Sequence, residues 1–444
     1  MKTLVEELHA IGKKVILYDS CGRLNQGPFH PRLEFFVKDE TGSTLIKEAP
    51  FYNPADAPNR RSSPFLDITN PGAVEWWQNT VWRRLLVDIG VDGVKIDFCE
   101  QFPEDEGLQL FSGRSAKGMH HYYPAKYCAM MYNFFKKRRP EGGMGGERGG
   151  GIGAQRYPFI WCGDQLREFR FLRAILSATL SSGLSGIPFM CHDLAGYMPA
   201  RDPVSNNEAK VFIRGTQMAC FSANMQTHGK VTRPYDFPPE VVDVYRFYSD
   251  VHYVLVPYLV EQARVSCETG VPLVRHLYLE FPGDRRTWEI EDQYFLGNGL
   301  LVAPVLYDAD KRNVYLPAGR WEGLWDGQTF EGPCELTAYP APLEQIPVFV
   351  FDGSESAVLP ELVKEIRIRY QAWKKGRRHT ITTAALKSFL PECGGRYAKR
   401  QIDRAKKSAD RQRRQSTEEQ VVQDCWVHDV HVGKLVSAGC KLTQ

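Results

Sequence analysis

The sequence predicts an α/β fold in which a parallel sheet alternating with helices gives way to a smaller all-β region. Three observations predict it. Short apolar runs, Val15 to Tyr18 and Val91 to Ile96 among them, read as strands buried on both faces. Amphipathic helical stretches separate these runs, and helices alternating with apolar strands imply a parallel sheet. From about residue 270 the pattern becomes short strands with turns, at Leu300 to Pro304, Arg312 to Leu316 and Val348 to Phe351, which reads as a β-sandwich.

In chain order, residues 2–12 form a helix with Leu4, Val5, Leu8 and Ile11 on one face and Gly12 as its stop. A strand follows at Val15 to Tyr18. Residues 20–69 are polar and rich in Gly and Pro, like a functional loop. Asn70-Pro71 starts a helix, Asn as cap and Pro in the first turn, with Val74, Trp77, Val81, Leu85 and Leu86 facing inward. It leads to the strand that ends at Asp97. A helix spans roughly 125–138. The run Gly142 to Gly151 then breaks the pattern, because glycine costs backbone entropy and supplies no side chain to a strand; a loosened strand is expected there. Pro158 to Trp161 is a strand ending near Asp164. A helix covers 166–182, with Phe171, Ile175 and Leu180 inward and Gly183 after it. Ile187 to Cys191 is a strand ending at His192-Asp193, and 239–265 is a long helix.

The length, 444 residues, suggests more than one domain, and 43% apolar residues supply a sizeable core. No stretch approaches the roughly 20 apolar residues of a membrane helix, and no secretory leader is visible after Met1. Eleven cysteines lie without pair spacing, several in apolar runs (Cys99, Cys162, Cys191, Cys220). Reduced thiols, a cytoplasmic setting and no metal site are therefore expected. The overall charge of +3 hides an asymmetry. Residues 364–444 hold 19 Lys or Arg against 8 Asp or Glu, a net +11 that leaves −8 for the rest. This end is read as a partly disordered, solvated tail, with a basic arm for anionic partners as the lesser alternative.

Two acids stand where chemistry is built in such folds. Asp97 ends one apolar run and Asp164 follows another, and strand ends of this kind carry the active-site loops. Glycosidic hydrolysis needs two carboxylates facing one sugar.

The surroundings of both acids resemble glycoside hydrolase family 31, the α-glucosidases, α-xylosidases and relatives. The resemblance rests on Lys95-Ile96-Asp97-Phe98-Cys99-Glu100, Arg148 with Gly153 to Tyr157, Trp161-Cys162-Gly163-Asp164-Gln165 and His192-Asp193-Leu194-Ala195-Gly196-Tyr197. It continues through Val256 to Leu259, Glu291 to Gly297, Leu301 to Val305, Val314 to Pro317 and Ile346 to Val350, so it covers roughly residues 1–355 in order. The family implies a (β/α)8 TIM-type barrel followed by a C-terminal β-sandwich. Here the family's N-terminal β-sandwich and two earlier barrel strands have no counterpart, so about six of eight strands are expected. The domain plan is then a partial barrel over 1–268, a β-sandwich over 269–358 and the basic tail over 359–444.

The resemblance implies a retaining mechanism, whose carboxyls lie about 5 to 5.5 Å apart, with Asp97 as nucleophile and Asp164 as acid and base. For that role the Asp164 carboxyl is expected to be raised in pKa by burial or by neighbouring charge. Arg148 matches the family's arginine, which binds sugar hydroxyls and keeps the nucleophile charged. Trp161 would wall the sugar ring, and Asp193 and His228 would bind hydroxyls. His192 would serve the same site or pack, and Glu100 would orient its loop. Lys95 resembles the α-xylosidase-like branch, where it reaches a substrate hydroxyl. Tyr197, Gln165 and Thr227-His228-Gly229 with Arg233-Pro234 resemble the sulfoquinovosidase branch as well, and the two branches stay open.

The expected activity is exo-hydrolysis of terminal α-glucosyl or α-xylosyl units from an oligosaccharide or α-glycoside. No cofactor, membrane or nucleic acid partner is expected, and a homo-oligomer is left open. The rival readings are a sulfoquinovosidase and a catalytically inactive family fragment that binds carbohydrate or a complementary chain.

Overall fold

The computed structural model describes residues 1–20, 32–45, 47–48, 62–139, 144–157, 159–202, 206–228 and 233–376. They form two compact units that meet in sequence at Trp161 and Cys162. Gly142, Gly143, Pro158, Gly229 and the tail beyond Gly376 lie outside the described residues.

In the first unit, α1 (Lys2–Ala10) buries Val5 and ends at Gly12, whose φ of +76° takes the left-handed turn. β1 (Ile16–Asp19) follows, then a small antiparallel pair, β2 (Lys47–Glu48) with β3 (Ser62–Ser63). Helix α2 (Pro71–Trp77) starts as its sequence requires, since Asn70 Oδ1 accepts from the N–H of Gly72 at 2.9 Å. It does not continue as an α-helix. Gln78–Asp88 is π-helical, and the wider turn moves the buried face to Ala73, Trp77, Trp82 and Leu86. Val81 and Leu85, expected inward from a 3.6-residue period, are only partly buried for this reason.

β4 (Gly93–Ile96) is buried at all four positions. It is followed by α3 (Ala116–His120), α4 (Tyr122–Arg138), β5 (Met144–Arg148) and β6 (Phe159–Trp161). The strands are parallel in the order β1-β4-β5-β6. Their register sets Asp19 opposite Ile96, Ile96 opposite Glu147, and Arg148 opposite Trp161.

The glycine run therefore contains a regular strand where a loosened one was expected. A Cβ on Gly146 would lie 1.9 Å from Cζ of Phe159, so the neighbouring strand fills the space that a side chain would take. The packing missing from β5 is supplied by Phe159.

In the second unit, α5 (Phe169–Leu184) runs one residue past Gly183, which is buried against Pro272. The chain turns instead at Gly186, φ +86°. β7 (Met190–Cys191), α6 (Glu208–Cys220) and the long α7 (Pro239–Thr269) follow. Cys220, read as part of a strand-like run, ends α6. After β8 (Val274–Arg275) and α8 (Leu277–Glu280) come β9 (Tyr294–Leu296), β10 (Leu300–Val302), β11 (Lys311–Gly323), β12 (Thr329–Pro340) and β13 (Val348–Phe351). These five strands and β8 form one antiparallel sheet, ordered β12-β11-β13-β10-β9-β8. Alternate residues serve its two faces. Tyr294, Leu296, Leu300, Val302 and Val348 join the helical core, while Phe295, Leu301 and Phe349 pack with Val314, Leu316 and Trp321.

The expected tail does not begin at 359. Residues Leu359–Gly376 form α9, and Leu359, Val363, Ile366 and Tyr370 bury one face at helical spacing. Arg214 of α6 ties the helices to the sheet. It is 2% exposed, and its guanidinium donates to the carbonyls of Ala309 (2.8 Å), Ala341 (2.6 Å), Pro342 (3.2 Å) and Gln345 (3.1 Å). Among the described residues no helix is long and apolar enough to cross a membrane.

Candidate active site

The carboxyl ends of β4, β5 and β6 place Asp97, Arg148 and Trp161 side by side. Parallel register does this: Arg148 pairs with Trp161, and Ile96 next to Asp97 pairs with Glu147 next to Arg148. Period-two alternation puts Lys95, Asp97, Arg148 and Trp161 on one face of this sheet. Tyr18, opposite Lys95, shares that face.

Asp97 is 2% exposed. A carboxylate that deep costs several kcal/mol, of order, unless it is paired. Here Oδ1 accepts from its neighbour's backbone, the N–H of Phe98, at 2.8 Å, and lies 2.9 Å from Nε of Arg148. Oδ2 accepts from the Tyr18 hydroxyl. Phe98 has a φ of +69°, which turns the chain sharply after the acid and brings its own amide onto the carboxylate.

Arg148 is held by a second acid. Glu100 Oε1 lies 2.8 Å from its Nε and 2.5 Å from its Nη2. The Phe98 ring lies under the guanidinium at 4.5 Å. Lys95 Nζ sits 3.7 Å from the centroid of Trp161, whose indole donates to the carbonyl of Ile96 at 3.2 Å. Two cations and two carboxylates thus share this end of the sheet.

The opposite, helix-facing side carries acids that the sequence reading passed over. Asp19 Oδ2 accepts from Trp82 Nε1 at 2.9 Å and from the Tyr127 hydroxyl at 3.0 Å. Glu147 is 1% exposed and lies beside the thiols of Cys128 and Cys99. Burial pushes its carboxyl well above the usual carboxylate range, and the charges of Glu100 and Asp19 push the same way.

The other expected residues belong to the second unit. Asp164 is exposed, where burial was one of two ways expected to raise its pKa. Its loop is nonetheless fixed. Gln165 Nε2 donates to the carbonyl of Cys162 at 2.6 Å, and the N–H groups of Tyr197 and Met198 donate to the carbonyl of Gln165 at 3.0 and 2.9 Å. Gly196 permits this approach: its φ is +87°, and a Cβ there would meet the Gln165 carbonyl at 2.8 Å.

Asp193 is fully buried and accepts from Gln226 Nε2 at 2.8 Å, while Leu194 N–H donates to the carbonyl of Gln226 at the same distance. The ring of His228 packs against Tyr197, centroids 4.2 Å apart. His192 is 3% exposed, its Nε2 has no hydrogen-bond partner among the described residues, and burial lowers its pKa to about 4, so the ring is neutral at pH 7. Cys162, close to Asp193, is held as the thiol, pushed up to about 12 mainly by burial. Among the described residues no three His, Cys, Asp or Glu side chains are grouped to hold a metal ion.

Tyr18, Glu147 and Gln226 were not singled out from the sequence. Tyr18 ends an apolar run and reads as core. Glu147 is hidden in the glycine run. Gln226 emerges as the partner of Asp193 only through the isolated parallel bridge between these two residues.

Residues 2–262 match the TIM-barrel domain of glycosyl hydrolases family 31, and residues 270–354 match that family's C-terminal domain. The chain belongs to glycosyl hydrolase family 31. Its parallel strands with covering helices are those of a partial TIM barrel, and its antiparallel sheet agrees with the expected C-terminal β-sandwich.

Among family 31 relatives, the chain is 30% identical over 385 residues to a sulfoquinovosidase of Agrobacterium fabrum, covering 82% of this chain and 55% of that protein. It is 30% identical over 273 residues to alpha-xylosidase XylQ of Lactiplantibacillus pentosus, covering 61% of this chain and 35% of that one. A solved family 31 sulfoquinovosidase from E. rectale, in complex with an aza-sugar inhibitor, superposes with a TM-score of 0.74 at 27% identity, over 83% of this chain and 55% of that chain. The chain spans about half the length, or less, of these curated relatives.

Proposed function

We propose that the chain is a retaining exo-α-glycosidase that hydrolyses terminal α-glucosyl or α-xylosyl units, with its catalytic barrel in residues 1–268 and a supporting β-sandwich in 269–358. The observation that carries this reading is the buried Asp97 carboxylate at the end of β4, held by Arg148, the Phe98 amide and the Tyr18 hydroxyl. These donors keep the group charged and aimed, as a nucleophile must be.

In the first step Asp97 attacks the anomeric carbon while Asp164 gives its proton to the departing glycosidic oxygen. In the second, Asp164 takes a proton from water, and that water releases the sugar from Asp97. Trp161 supplies an apolar wall, and Lys95, Arg148, Asp193 and His228 bind the sugar hydroxyls. Membership in family 31 and the fixed loop of Asp164 support these roles.

The similarity to sulfoquinovosidases favours a second substrate reading, a sulfonated sugar. Against it stands the charge balance at β4 to β6, where Lys95 and Arg148 are matched by Asp97 and Glu100. A neutral sugar suits a neutral set.

The test is release of nitrophenol from α-glucoside, α-xyloside and α-sulfoquinovoside substrates, beside the Asp97→Ala variant. Cleavage of the glucoside or xyloside and a silent variant are expected. Cleavage of the sulfoquinovoside alone would move the substrate to the second reading. With a fluorinated glycoside a trapped adduct on Asp97 is expected; the first-formed sugar should keep the α configuration by NMR, and a β-configured product would sink retention.

A further inference from the structure

Tryptophan belongs inside, and every other described tryptophan is buried or partly buried. Trp288 is 54% exposed. It stands on a 3-10 turn, Arg285–Glu289, beside the exposed Tyr278 of α8. The two rings meet edge to face, with centroids 5.5 Å apart and planes at 88°.

The pair is rigid. Trp288 Nε1 donates to the carbonyl of Pro282 at 3.0 Å, which fixes the indole. Thr287, fully buried, pins the turn through its hydroxyl to the carbonyls of Phe281 (3.0 Å) and Asp284 (2.8 Å). Leu277, Phe281 and Ile290 point the other way, into the core of the sheet. The segment thus buries Leu277 fully and Phe281 and Ile290 in part, and still holds two aromatic rings in water. Arg285 and Glu289, at the two ends of the same turn, are exposed as well.

We infer that Trp288, met at right angles by Tyr278, is an auxiliary carbohydrate-binding platform, on which one pyranose unit of an α-linked glucan stacks by its C–H face. Sugar rings present an apolar face and a polar rim, which suits a fixed, exposed indole on a turn that also exposes charged side chains. Because the rings are already ordered, little conformational freedom is lost on binding. The choice of an α-glucan rests on the function proposed above; the platform itself does not.

The experiment is native gel electrophoresis of the full chain carrying Asp97→Ala, which leaves polymer intact, in gels containing dextran or soluble starch. Retardation is expected in one of them. Trp288→Ala in the same background should weaken it about tenfold, the worth of one good aromatic contact. Trp288→Phe should keep most of it, which separates loss of the ring from loss of the fold. Hydrolysis of a nitrophenyl α-glycoside by the Trp288→Ala single variant should be unchanged.

Equal retardation with and without the indole, or none in either polymer, would overturn the platform. So would self-association, seen by sedimentation, that Trp288→Ala abolishes while glucan does not compete, since the rings would then be an interface between copies. Retardation without hydrolysis of any glycoside would leave the platform standing and remove the proposed activity. Hydrolysis without retardation would do the reverse.

Discussion

The ring of Phe159 fills the space where Gly146 would carry a side chain, with only 1.9 Å between its Cζ and an ideal Cβ. The two are paired in register on adjacent strands. Glycine here is required by packing rather than by backbone angle.

Gly146→Ala should therefore destabilise the protein by about 1 to 3 kcal/mol, the usual cost of overpacking a core. The midpoint of urea unfolding reads this. A double variant with Phe159→Leu should recover part of the loss, and an unchanged midpoint in Gly146→Ala would refute the steric account.

Arg148 answers to two carboxylates, and only Asp97 is deeply buried. Arg148→Ala should lower kcat/KM by about a hundredfold or more, as loss of a key electrostatic contact does. It should also cost about 3 to 5 kcal/mol of stability, because a buried charge loses its partner. Glu100→Gln keeps the guanidinium in reach of Asp97 and should cost far less in both assays.

Tyr18 reaches the nucleophile from β1. Tyr18→Phe keeps the ring and removes the donor to Oδ2, so kcat/KM should fall about tenfold, the worth of one hydrogen bond to a charged group. Stability should fall by about 1 to 3 kcal/mol, because a buried charged oxygen loses a donor. Equal rates for the variant and the parent would mean that Tyr18 only packs.

Two buried groups should bend the stability curve in opposite directions. For His192 the folded pKa, about 4, lies below the ordinary 6.5. The folded protein stays neutral while the unfolded chain takes up a proton, so stability is complete above pH 6.5 and lost as pH falls toward 4. His192→Gln should flatten Tm against pH in that window.

Glu147 works the other way. Its folded pKa is raised well above 4.5. Below that value both states are protonated and the group costs nothing. As pH rises past 4.5 the unfolded chain ionises first, and stability drains away until the folded pKa is reached. Glu147→Gln should thus gain on the parent in Tm as pH climbs from 4.5 toward neutrality, and a constant difference would contradict the buried-acid account.

How far these features were legible varies with how local their cause is. The Asn70 cap, the strand of Asp97 and the turn at Gly12 depend on neighbours in sequence, and each was readable. The β5 strand was not, because what compensates its glycines is a ring on another strand. The face of Gln78–Asp88 shifted because a π-helix changes the period on which the reading relied. Helix α9 was masked by its charges, although Leu359, Val363, Ile366 and Tyr370 keep helical spacing. The candidate site was legible as a list of residues through the family resemblance. Its wiring, Tyr18 to Asp97, Glu100 to Arg148 and Gln226 to Asp193, was not, since hydrogen bonds between distant segments leave no mark on either segment alone.

Arg214 closes the matter of where this protein could be divided. The family boundary falls near residue 262 to 270, yet the carbonyls that hold the guanidinium are at Ala309, Ala341, Pro342 and Gln345. A polypeptide ending after α7 would keep a cation built for the interior and lose its acceptors on the sheet side. The two family modules are separable as text but not without cost as matter: a break at that boundary would strand a buried charge.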